Sequence, residues 1–153
     1  MESMRLNLEE DPREADLRKI LDGLLADHAT KGHIRSQHKL AVFLRDAENL
    51  VCGGIIGSTY WGHLVIEKLW VDETLRGHGY GKKLLQAAED EALRRGCRYA
   101  HTDTFTWQNL PFYQKFGYEE YAVLKDFPAG HSLHYIAKKL IPDEDEGQGR
   151  KLS

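Results

Sequence analysis

One stretch of this chain joins an apolar strand, a glycine-rich turn and a basic helix start. Leu69 to Val71 are apolar, Arg76 to Gly81 read Arg-Gly-His-Gly-Tyr-Gly, and an amphipathic helix follows with Lys82 in its first turn. Glycines have no Cβ, so the backbone can bring several N–H groups to one ligand. The first turn of the helix adds unpaired donors and the positive end of its dipole. The pattern predicts a diphosphate site between a strand and a helix.

The spacing of the glycines excludes two common kinds of diphosphate site. A nucleotide P-loop has Lys and then Ser or Thr after its last glycine, whereas Lys82 and Lys83 follow Gly81. A dinucleotide loop needs Gly-x-Gly-x-x-Gly, and the third interval is wrong here. The order strand-Val-Asp-x-x-x-Arg-Gly-x-Gly-x-Gly-helix closely resembles the acetyl-coenzyme A loop of the GNAT superfamily of N-acetyltransferases. By this resemblance, acetyl-coenzyme A is the expected co-substrate, and the expected coenzyme-binding residues are Leu69, Trp70, Val71, Arg76, Gly77, His78, Gly79, Tyr80, Gly81 and Lys82.

Hydrophobic periodicity and turn residues predict an alternation of strands and helices. The first predicted elements are a strand at Arg5 to Glu9 and a helix that a capping box opens at Asp11 to Glu14. This helix ends at Gly32, and its apolar face consists of Leu17, Ile20, Leu21, Leu24 and Leu25. The elements predicted after it are a hairpin at Leu40 to Leu44 and Leu50 to Tyr60, a strand at His63 to Val71, a helix from Tyr80 to Arg95, a strand at Tyr99 to Phe105, a short helix from Pro111 to Phe116, and a final hairpin at Tyr118 to Leu124 and Ser132 to Leu140.

This order resembles the GNAT fold over most of the chain. It implies an α/β protein with a mixed, mostly antiparallel central sheet flanked by helices and a V-shaped split between the two central strands. Many members of the family carry two helices between the first two strands, and one helix here implies a more open acceptor cleft. We expect residues 1–141 to form the N-acetyltransferase domain and the acidic residues 142–153 to form a disordered tail.

A second motif, Phe112 to Tyr118, resembles the family's aromatic-Tyr-x-x-x-Gly-aromatic helix, in which the Tyr hydroxyl lies near the coenzyme sulfur. The resemblance implies that Tyr113 is the catalytic acid that protonates the leaving thiolate. Plain core packing of Tyr113 is the alternative. Aligning on Tyr113 places Thr106 where many members carry a coenzyme-contacting Asn, and Asn109 lies three residues away. Neither residue is therefore assigned that role.

Glu67 is the preferred general base for the attacking amine. Alternation along the strand puts Glu67 on the same face as His63, Leu69 and Val71. A charged residue within an apolar central strand needs a partner or a purpose. Glu67 therefore either takes a proton from the amine or pairs with a cation of the sheet. His63 is a second candidate base.

The eight histidines do not form a metal-binding motif. His131 and His134 would point to opposite faces of an extended segment, and no third ligand clusters with them. We therefore expect no metal. His131, at a hairpin tip, is a candidate to reach over the acceptor cleft. The aromatic residues Tyr60, Trp61 and Trp70 either line that cleft or pack in the core.

Composition argues against a nucleic-acid-binding or membrane-spanning protein. The net charge of -3 offers no basic surface for nucleic acid, and no apolar run reaches the ~20 residues that span a membrane. A start without a secretory signal and two cysteines in apolar contexts favour a cytoplasmic location.

The GNAT resemblance implies direct transfer of acetyl from acetyl-coenzyme A to a primary amine of a small molecule or protein. No covalent enzyme intermediate is needed. The alternative is a non-catalytic acyl-coenzyme A binding or sensing module. The identity of the amine is open, and a homodimer is one option for the oligomeric state.

Overall fold

The structure, a computed structural model, describes residues 3–141 of the chain. The chain divides between Ser36 and Gln37 into two compact units. The elements of the described part are α1 (Glu14–Thr30), β1 (His38–Arg45), β2 (Val51–Tyr60), β3 (His63–Val71), a 3-10 turn (Glu73–Leu75), α2 (Tyr80–Arg94), β4 (Tyr99–Phe105), α3 (Leu110–Lys115), β5 (Glu119–Lys125) and β6 (Ser132–Lys139). The expected acidic tail, residues 142–153, lies outside the described residues, so the domain boundary at residue 141 stays a prediction.

Helix α1 is the one regular secondary-structure element among residues 3–36. The residue before it, Arg13, has extended backbone angles, and no side chain caps the helix, so the predicted capping box does not form. Gly32 follows the helix with a φ of 82°, a left-handed value that favours glycine at this position. The apolar side chains expected on one face, from Leu17 to Leu24, are exposed. The helix is correctly predicted, whereas its cap is not.

The predicted first strand at Arg5 to Glu9 is wrong. This segment has no regular secondary structure, and the side chains of Leu6 and Leu8 are fully exposed. Alternation of apolar and polar residues gives a strand only where a neighbouring strand bonds its backbone. No described strand pairs with this segment.

The second unit is built on one six-stranded sheet with the order β1-β2-β3-β4-β6-β5. Strands β3 and β4 are parallel, and every other neighbouring pair is antiparallel. One face of the sheet packs against α2, which contacts β1, β2 and β3. The main core residues are Leu40, Ile55, Leu64, Ile66, Leu84, Leu85, Ala88, Ala92, Ala100, Tyr113, Tyr118 and Ile136. The predicted mixed, mostly antiparallel sheet is confirmed.

The two central strands part from each other after three residue pairs. The parallel ladder begins at His63 opposite Tyr99 and ends at Val65 opposite His101. Strand β3 then continues to Val71, and β4 continues to Phe105, without further pairing between them. The V-shaped split is therefore confirmed, and within residues 3–141 it leaves one backbone edge of the second half of β3 without a neighbouring strand.

A β-bulge lies where β3 leaves its parallel partner. The residues on either side of Glu67 pair with the adjacent residues Ile56 and Gly57 of β2, so Glu67 is an extra residue on β3. Gly57 makes this arrangement possible, because a Cβ at that position would lie 2.1 Å from the backbone oxygen of Val65. The bulge therefore depends on a glycine in the neighbouring strand.

The bulge changes which side chains of β3 face the core. Leu64 and Ile66 before the bulge belong to the same core cluster against which Leu69 and Val71 pack after it. One inserted residue shifts the alternation by one position. The expectation that Glu67 shares a face with Leu69 and Val71 is therefore wrong.

Candidate active site

A cavity of about 680 Å³ lies beside the unpaired half of β3. Its walls are the end of β3, the glycine turn with the start of α2, and the segment that includes α3. The lining residues are Leu69, Trp70, Val71, Leu75, Arg76, Gly77, Gly79, Tyr80, Gly81, Lys82, Trp107, Gln108, Asn109, Phe112, Lys115 and Phe116. A cavity of this size fits the usual range for small-molecule and cofactor sites.

The glycine turn gives one end of this cavity the properties of an anion site. Gly77 and Gly79 have φ values of 78° and 83°, which favour glycine. Gly79 is the N-cap of α2 and has no side chain with which to cap the first N–H groups of the helix. These donors, with the positive end of the helix dipole, can bind an anion. The side chains of Arg76 and Lys82 add two cations to the lining.

Hydrogen bonds hold the turn in shape. The Nε of Arg76 donates to the carbonyl oxygen of Val71 at 3.0 Å, which fixes the guanidinium at the edge of the cavity. The carboxylate of Asp72 accepts from the hydroxyl and the backbone N–H of Thr74, and these bonds lower the pKa of Asp72. Asp72 therefore stays charged while it orders the chain between β3 and α2.

His78 does not line the cavity, unlike the other predicted coenzyme-binding residues. Its Nδ1 lies 3.1 Å from the carbonyl oxygen of Leu75 and 3.0 Å from that of Arg76. A carbonyl oxygen only accepts, so Nδ1 carries the proton and donates to the turn. The structure gives His78 a role in shaping the turn, and its contact with a coenzyme stays a prediction.

Sequence reasoning missed the wall formed by α3. Phe112, Lys115 and Phe116 all line the cavity, and their spacing puts them on one face of a helix. The Nζ atoms of Lys82 and Lys115 lie 5.9 and 6.0 Å from the centre of the Phe116 ring. The cavity therefore has a third cation, Lys115. The signal that could have found it is the helical spacing of these three residues.

The structure distinguishes between the two residues considered for the family's coenzyme-contacting Asn. Asn109 lines the cavity, and its backbone N–H donates to Thr104 Oγ1 at 3.1 Å. The hydroxyl of Thr106 instead bonds the backbone of Ser132 in β6. Only Asn109 of this pair lies where a ligand of the cavity could touch it.

Tyr113 is buried, and its side chain does not line the cavity. Its ring packs edge-on against Phe112 and Tyr118, with centroid distances of 5.3 and 5.2 Å. Burial raises the pKa of the Tyr113 phenol far above its ordinary value of 10.0, so the phenol is neutral at physiological pH. The ring therefore belongs to the core.

Glu67 is exposed, contrary to the expectation of an enclosed carboxylate. Alternation after the core residue Ile66 puts Glu67 on the other face of β3, and the bulge then returns Leu69 and Val71 to the core side. Asp103, on β4, is exposed as well. Each arm of the split thus carries one carboxylate just after the last paired residues. The role of Glu67 as a base stays a prediction.

His63 lies in the paired part of the strands, away from the cavity. Its Nδ1 is 3.1 Å from the Nδ1 of His101, and its ring stacks on Tyr99. Burial lowers the pKa of His63, and it also lowers that of His101, with a further contribution from His63. His63 precedes the cavity-lining Leu69 by six residues, or about 20 Å of extended chain. This distance makes His63 a poor candidate for the base.

The predicted aromatic wall of Tyr60, Trp61 and Trp70 does not form. Tyr60 and Trp61 lie at the turn between β2 and β3, and Trp70 lies at the other end of β3, where it lines the cavity. The aromatic residue beside His131 is Trp107, at 5.0 Å between ring centroids. Trp107 lines the cavity, so His131 lies one ring away from it.

Two kinds of feature are absent from residues 3–141. No group of three His, Cys, Asp or Glu side chains in this range is arranged to hold a metal ion. None of its helices is both long and apolar enough to cross a membrane. The expected absence of a metal stays a prediction.

Comparison with known proteins decides the family. The sequence profile of the acetyltransferase (GNAT) family matches residues 4–118. The chain belongs to the GNAT acetyltransferase family. Acetyltransferase Atu2258 of Agrobacterium fabrum is 33% identical to this acetyltransferase over 131 residues, which cover 85% of this chain and 96% of the relative. The split sheet and the glycine turn are thus features of an acyltransferase.

Two other similar proteins agree with the assignment. The crystal structure of an acetyltransferase from Agrobacterium tumefaciens has a TM-score of 0.84 at 31% identity, and the match covers 89% of this acetyltransferase and 99% of that chain. Blasticidin-S acetyltransferase of Streptomyces morookaense is 36% identical over 91 residues, or 59% of this chain and 67% of the relative. The predicted family, fold and enzyme class are therefore confirmed.

Proposed function

We propose that this acetyltransferase transfers the acetyl group of acetyl-coenzyme A to a primary amine of a small molecule or protein. The observation that carries the proposal is the cavity between the unpaired half of β3 and the glycine turn. Three cations line it, Arg76, Lys82 and Lys115, and they suit the phosphates of the coenzyme. Bound acetyl-coenzyme A would supply a thioester carbonyl that an amine can attack and a thiolate that can leave.

The backbone of β3 supports this assignment. Leu69, Trp70 and Val71 line the cavity, and the ladder with β4 has already ended at Val65. Their backbone groups on that side can bond the amide-bearing arm of the coenzyme. A backbone N–H aimed at the carbonyl oxygen stabilises the negative charge that grows there during attack. The carbonyl oxygen of Val71 already accepts from Arg76, so we assign this task to the N–H groups of Leu69, Trp70 and Val71.

An amine is the acceptor that the charges beside the split favour. Glu67 and Asp103 are exposed carboxylates on the two arms, and they would attract a protonated amine. The amine must lose a proton before it attacks, and Glu67 is the proposed base that takes it. One relative is named blasticidin-S acetyltransferase, and this name gives a small molecule as the acceptor of a similar protein.

Tyr113 is the proposed acid. Its phenol is neutral, so it holds a proton at Oη and can deliver it to the departing thiolate. In this direct transfer the nitrogen–carbon bond forms and the carbon–sulfur bond breaks. The amine loses one proton to Glu67 before it attacks and a second to solvent after the nitrogen–carbon bond has formed. One of these two protons restores Tyr113 through solvent, and the other is released. No group of the enzyme becomes acetylated.

The experiment is an assay of thiol release. The purified chain is incubated with acetyl-coenzyme A and each of several amines: a polyamine, an aminoglycoside, an amino acid and a lysine peptide. We expect at least one amine to release free thiol and to gain an acetyl group by mass spectrometry. Binding of acetyl-coenzyme A in calorimetry without release by any amine would favour the non-catalytic acyl-coenzyme A module. Absence of binding would contradict both functions.

A matched pair of lysines tests the location of the coenzyme phosphates. Lys82 lines the cavity, whereas the neighbouring Lys83 does not, and its Nζ lies 5.6 Å from the centre of the Tyr80 ring. A bond to a charged group contributes about 1.5–3 kcal/mol, so Lys82→Gln should weaken coenzyme binding by about tenfold or more. Lys83→Gln should have a much smaller effect. Equal losses in calorimetric titrations of the two variants would place the phosphates elsewhere.

We also propose a cytoplasmic location. Cys52 and Cys97 are both free thiols, as expected for a protein of a reducing compartment. Fractionation of the source cells tests this location. Recovery of the protein outside the cytoplasmic fraction would contradict it.

A further inference from the structure

Four rings pack together at the end of β4 and form what we call the aromatic group: Phe105, Trp107, Phe127 and His131. Trp107 stacks on Phe105 with nearly parallel rings, at 4.8 Å between centroids and an angle of 4°. Phe127 meets Phe105 at 63° and His131 meets Trp107 at 83°, so these two contacts are edge contacts. The group is therefore one parallel stack of two rings with a further ring at the edge of each contact.

Backbone hydrogen bonds hold the group in place. The N–H of Phe127 donates to the carbonyl oxygen of His131 at 3.1 Å, and the N–H of His131 donates to that of Pro128 at 2.9 Å. The loop between β5 and β6 thus closes on itself. Thr106, between the two stacked residues, exchanges hydrogen bonds with the backbone of Ser132 at the other end of this loop. These bonds fix the rings of the loop beside those that follow β4.

Trp107 is the member of the aromatic group that borders the cavity. Phe105 packs on one face of its indole ring, yet 55% of the surface of Trp107 is exposed. The exposed surface therefore belongs to the other face and the edges of the ring. A flat ring of a ligand can continue the stack on such a face.

The sheet face that carries Phe105 also carries negative charge. Asp103 and Phe105 are two residues apart in β4, so their side chains share a face and lie about 7 Å apart. Glu67 is a second exposed carboxylate, on the other arm of the split. Both carboxylates attract a cation and repel the phosphates of a coenzyme. A ligand that suits this face has a positive charge and a flat ring separated by about 7 Å.

We propose that the acceptor is a primary amine that carries a planar aromatic or heteroaromatic ring, and that this ring stacks on Trp107 while the ammonium group lies beside Asp103. This inference rests on the proposed function and names the substrate class of the same site. Trp107 selects the acceptor and takes no part in the transfer of the acetyl group. A cage for a bare ammonium group would direct several ring faces to one point, whereas this stack offers a ligand a single flat face.

The test compares two amines of nearly the same size, phenylbutylamine and cyclohexylbutylamine, in which four carbons separate the ring from the amine. Stacking favours the aromatic ring beyond its apolar area, so the wild-type kcat/KM should be about threefold to tenfold higher for phenylbutylamine. Trp107→Leu supplies apolar area without a flat ring, so it should act on both amines equally. Trp107→Phe should keep most of the preference.

Trp61→Leu is the matched control. Trp61 is a tryptophan of similar exposure, 51%, at the turn between β2 and β3, and it does not line the cavity. This variant should keep the wild-type preference. The KM for acetyl-coenzyme A should stay within about twofold in all three variants, because the phosphates bind at the other end of the cavity.

The outcomes separate this inference from the proposed function. Equal kcat/KM of the wild-type protein for the two amines, or a preference that survives Trp107→Leu, would overturn the inference and leave the proposed function intact. A rise in the KM for acetyl-coenzyme A in Trp107→Leu with an unchanged preference would assign Trp107 to the adenine ring instead. Absence of thiol release with every amine would overturn the proposed function.

A binding measurement tests the stack without turnover. In protein saturated with coenzyme A, the ring protons of phenylbutylamine should move upfield in proton NMR, because they lie over the face of an indole ring. Trp61→Leu should keep this shift, and Trp107→Leu should lose it. If Trp107→Leu does not fold, Trp107→Met takes its place with the same expectations. Absence of the shift in the wild-type protein, or its persistence without Trp107, would overturn the inference.

Discussion

Gly57 should be the glycine of β2 that tolerates a side chain least. A Cβ there would lie 2.1 Å from the Val65 oxygen and 3.1 Å from the Ile66 Cα, both of them backbone atoms of the bulged strand. Relief of the first contact needs a shift of about 1 Å in a close-packed sheet. Strain of this kind costs about 1–3 kcal/mol, and the loss of two ladder hydrogen bonds adds about 1 kcal/mol each. We therefore expect Gly57→Ala to lower the free energy of unfolding by about 3–5 kcal/mol.

The other glycines provide the comparison. In Gly54→Ala the new Cβ would lie 3.0 Å from the Val42 oxygen, which asks for a much smaller shift. Gly23 lies within α1 with nothing within 4 Å, so Gly23→Ala should stabilise the protein by up to about 1 kcal/mol.

Urea unfolding and thermal melts followed by circular dichroism measure this series. For a chain of this length, the loss in Gly57→Ala corresponds to a fall in Tm of about 10 °C. A loss in Gly57→Ala no larger than that in Gly54→Ala would refute the role of Gly57 in the bulge.

Two predictions concern pH. Glu67→Gln should slow thiol release most at low pH and approach the wild-type rate as pH rises towards the pKa of the amine; a defect that does not vary with pH would argue against Glu67 as the base. Burial lowers the pKa of His63 and His101, so between the lowered values and 6.5 the unfolded chain binds more protons. The free energy of unfolding that the two neutral histidines contribute should be fully present above pH 6.5, and it should fall as the pH drops below 6.5. Urea unfolding between about pH 5 and pH 8 should show this slope, and the double variant His63→Gln, His101→Gln should flatten it; an unchanged slope would count against the pair.

Local signals predicted most of the fold and the anion end of the site. The strand His63 to Val71, the glycine turn and the helix from Tyr80 all depend on residues close together in sequence, and they form as predicted. The same holds for the short helix that contains Tyr113. A glycine borders each of these elements, Gly62 before the strand, Gly79 before α2 and Gly117 after the short helix, so neighbouring residues indicate both the element and one of its limits.

Pairing between distant residues was harder to predict. The final hairpin of β5 and β6 forms. In the sheet β6 lies between β4 and β5, and the residues of the hairpin alone do not determine which of its two strands pairs with β4. The bulge at Glu67 depends on β2, where Gly57 lies opposite. Glycines inside a strand often mark a bulge or a close approach of two backbones. The sequence thus indicated a bulge through the glycines of β2, which are Gly53, Gly54 and Gly57. The alternation of residues along β3 did not indicate it.

The bulge and the side-chain bond of Thr102 together explain how a continuous sheet opens into a site. Gly57 lets Glu67 enter β3 as an extra residue, and this shifts Leu69 and Val71 onto the core side of the strand. Their side chains can then pack against the core while their backbone borders the cavity. Where the two strands part, Thr102 Oγ1 of β4 donates a hydrogen bond to the carbonyl oxygen of Ile66 in β3 at 2.8 Å. A sheet that kept regular pairing here would use these backbone groups within its own ladder and would have none left for a ligand.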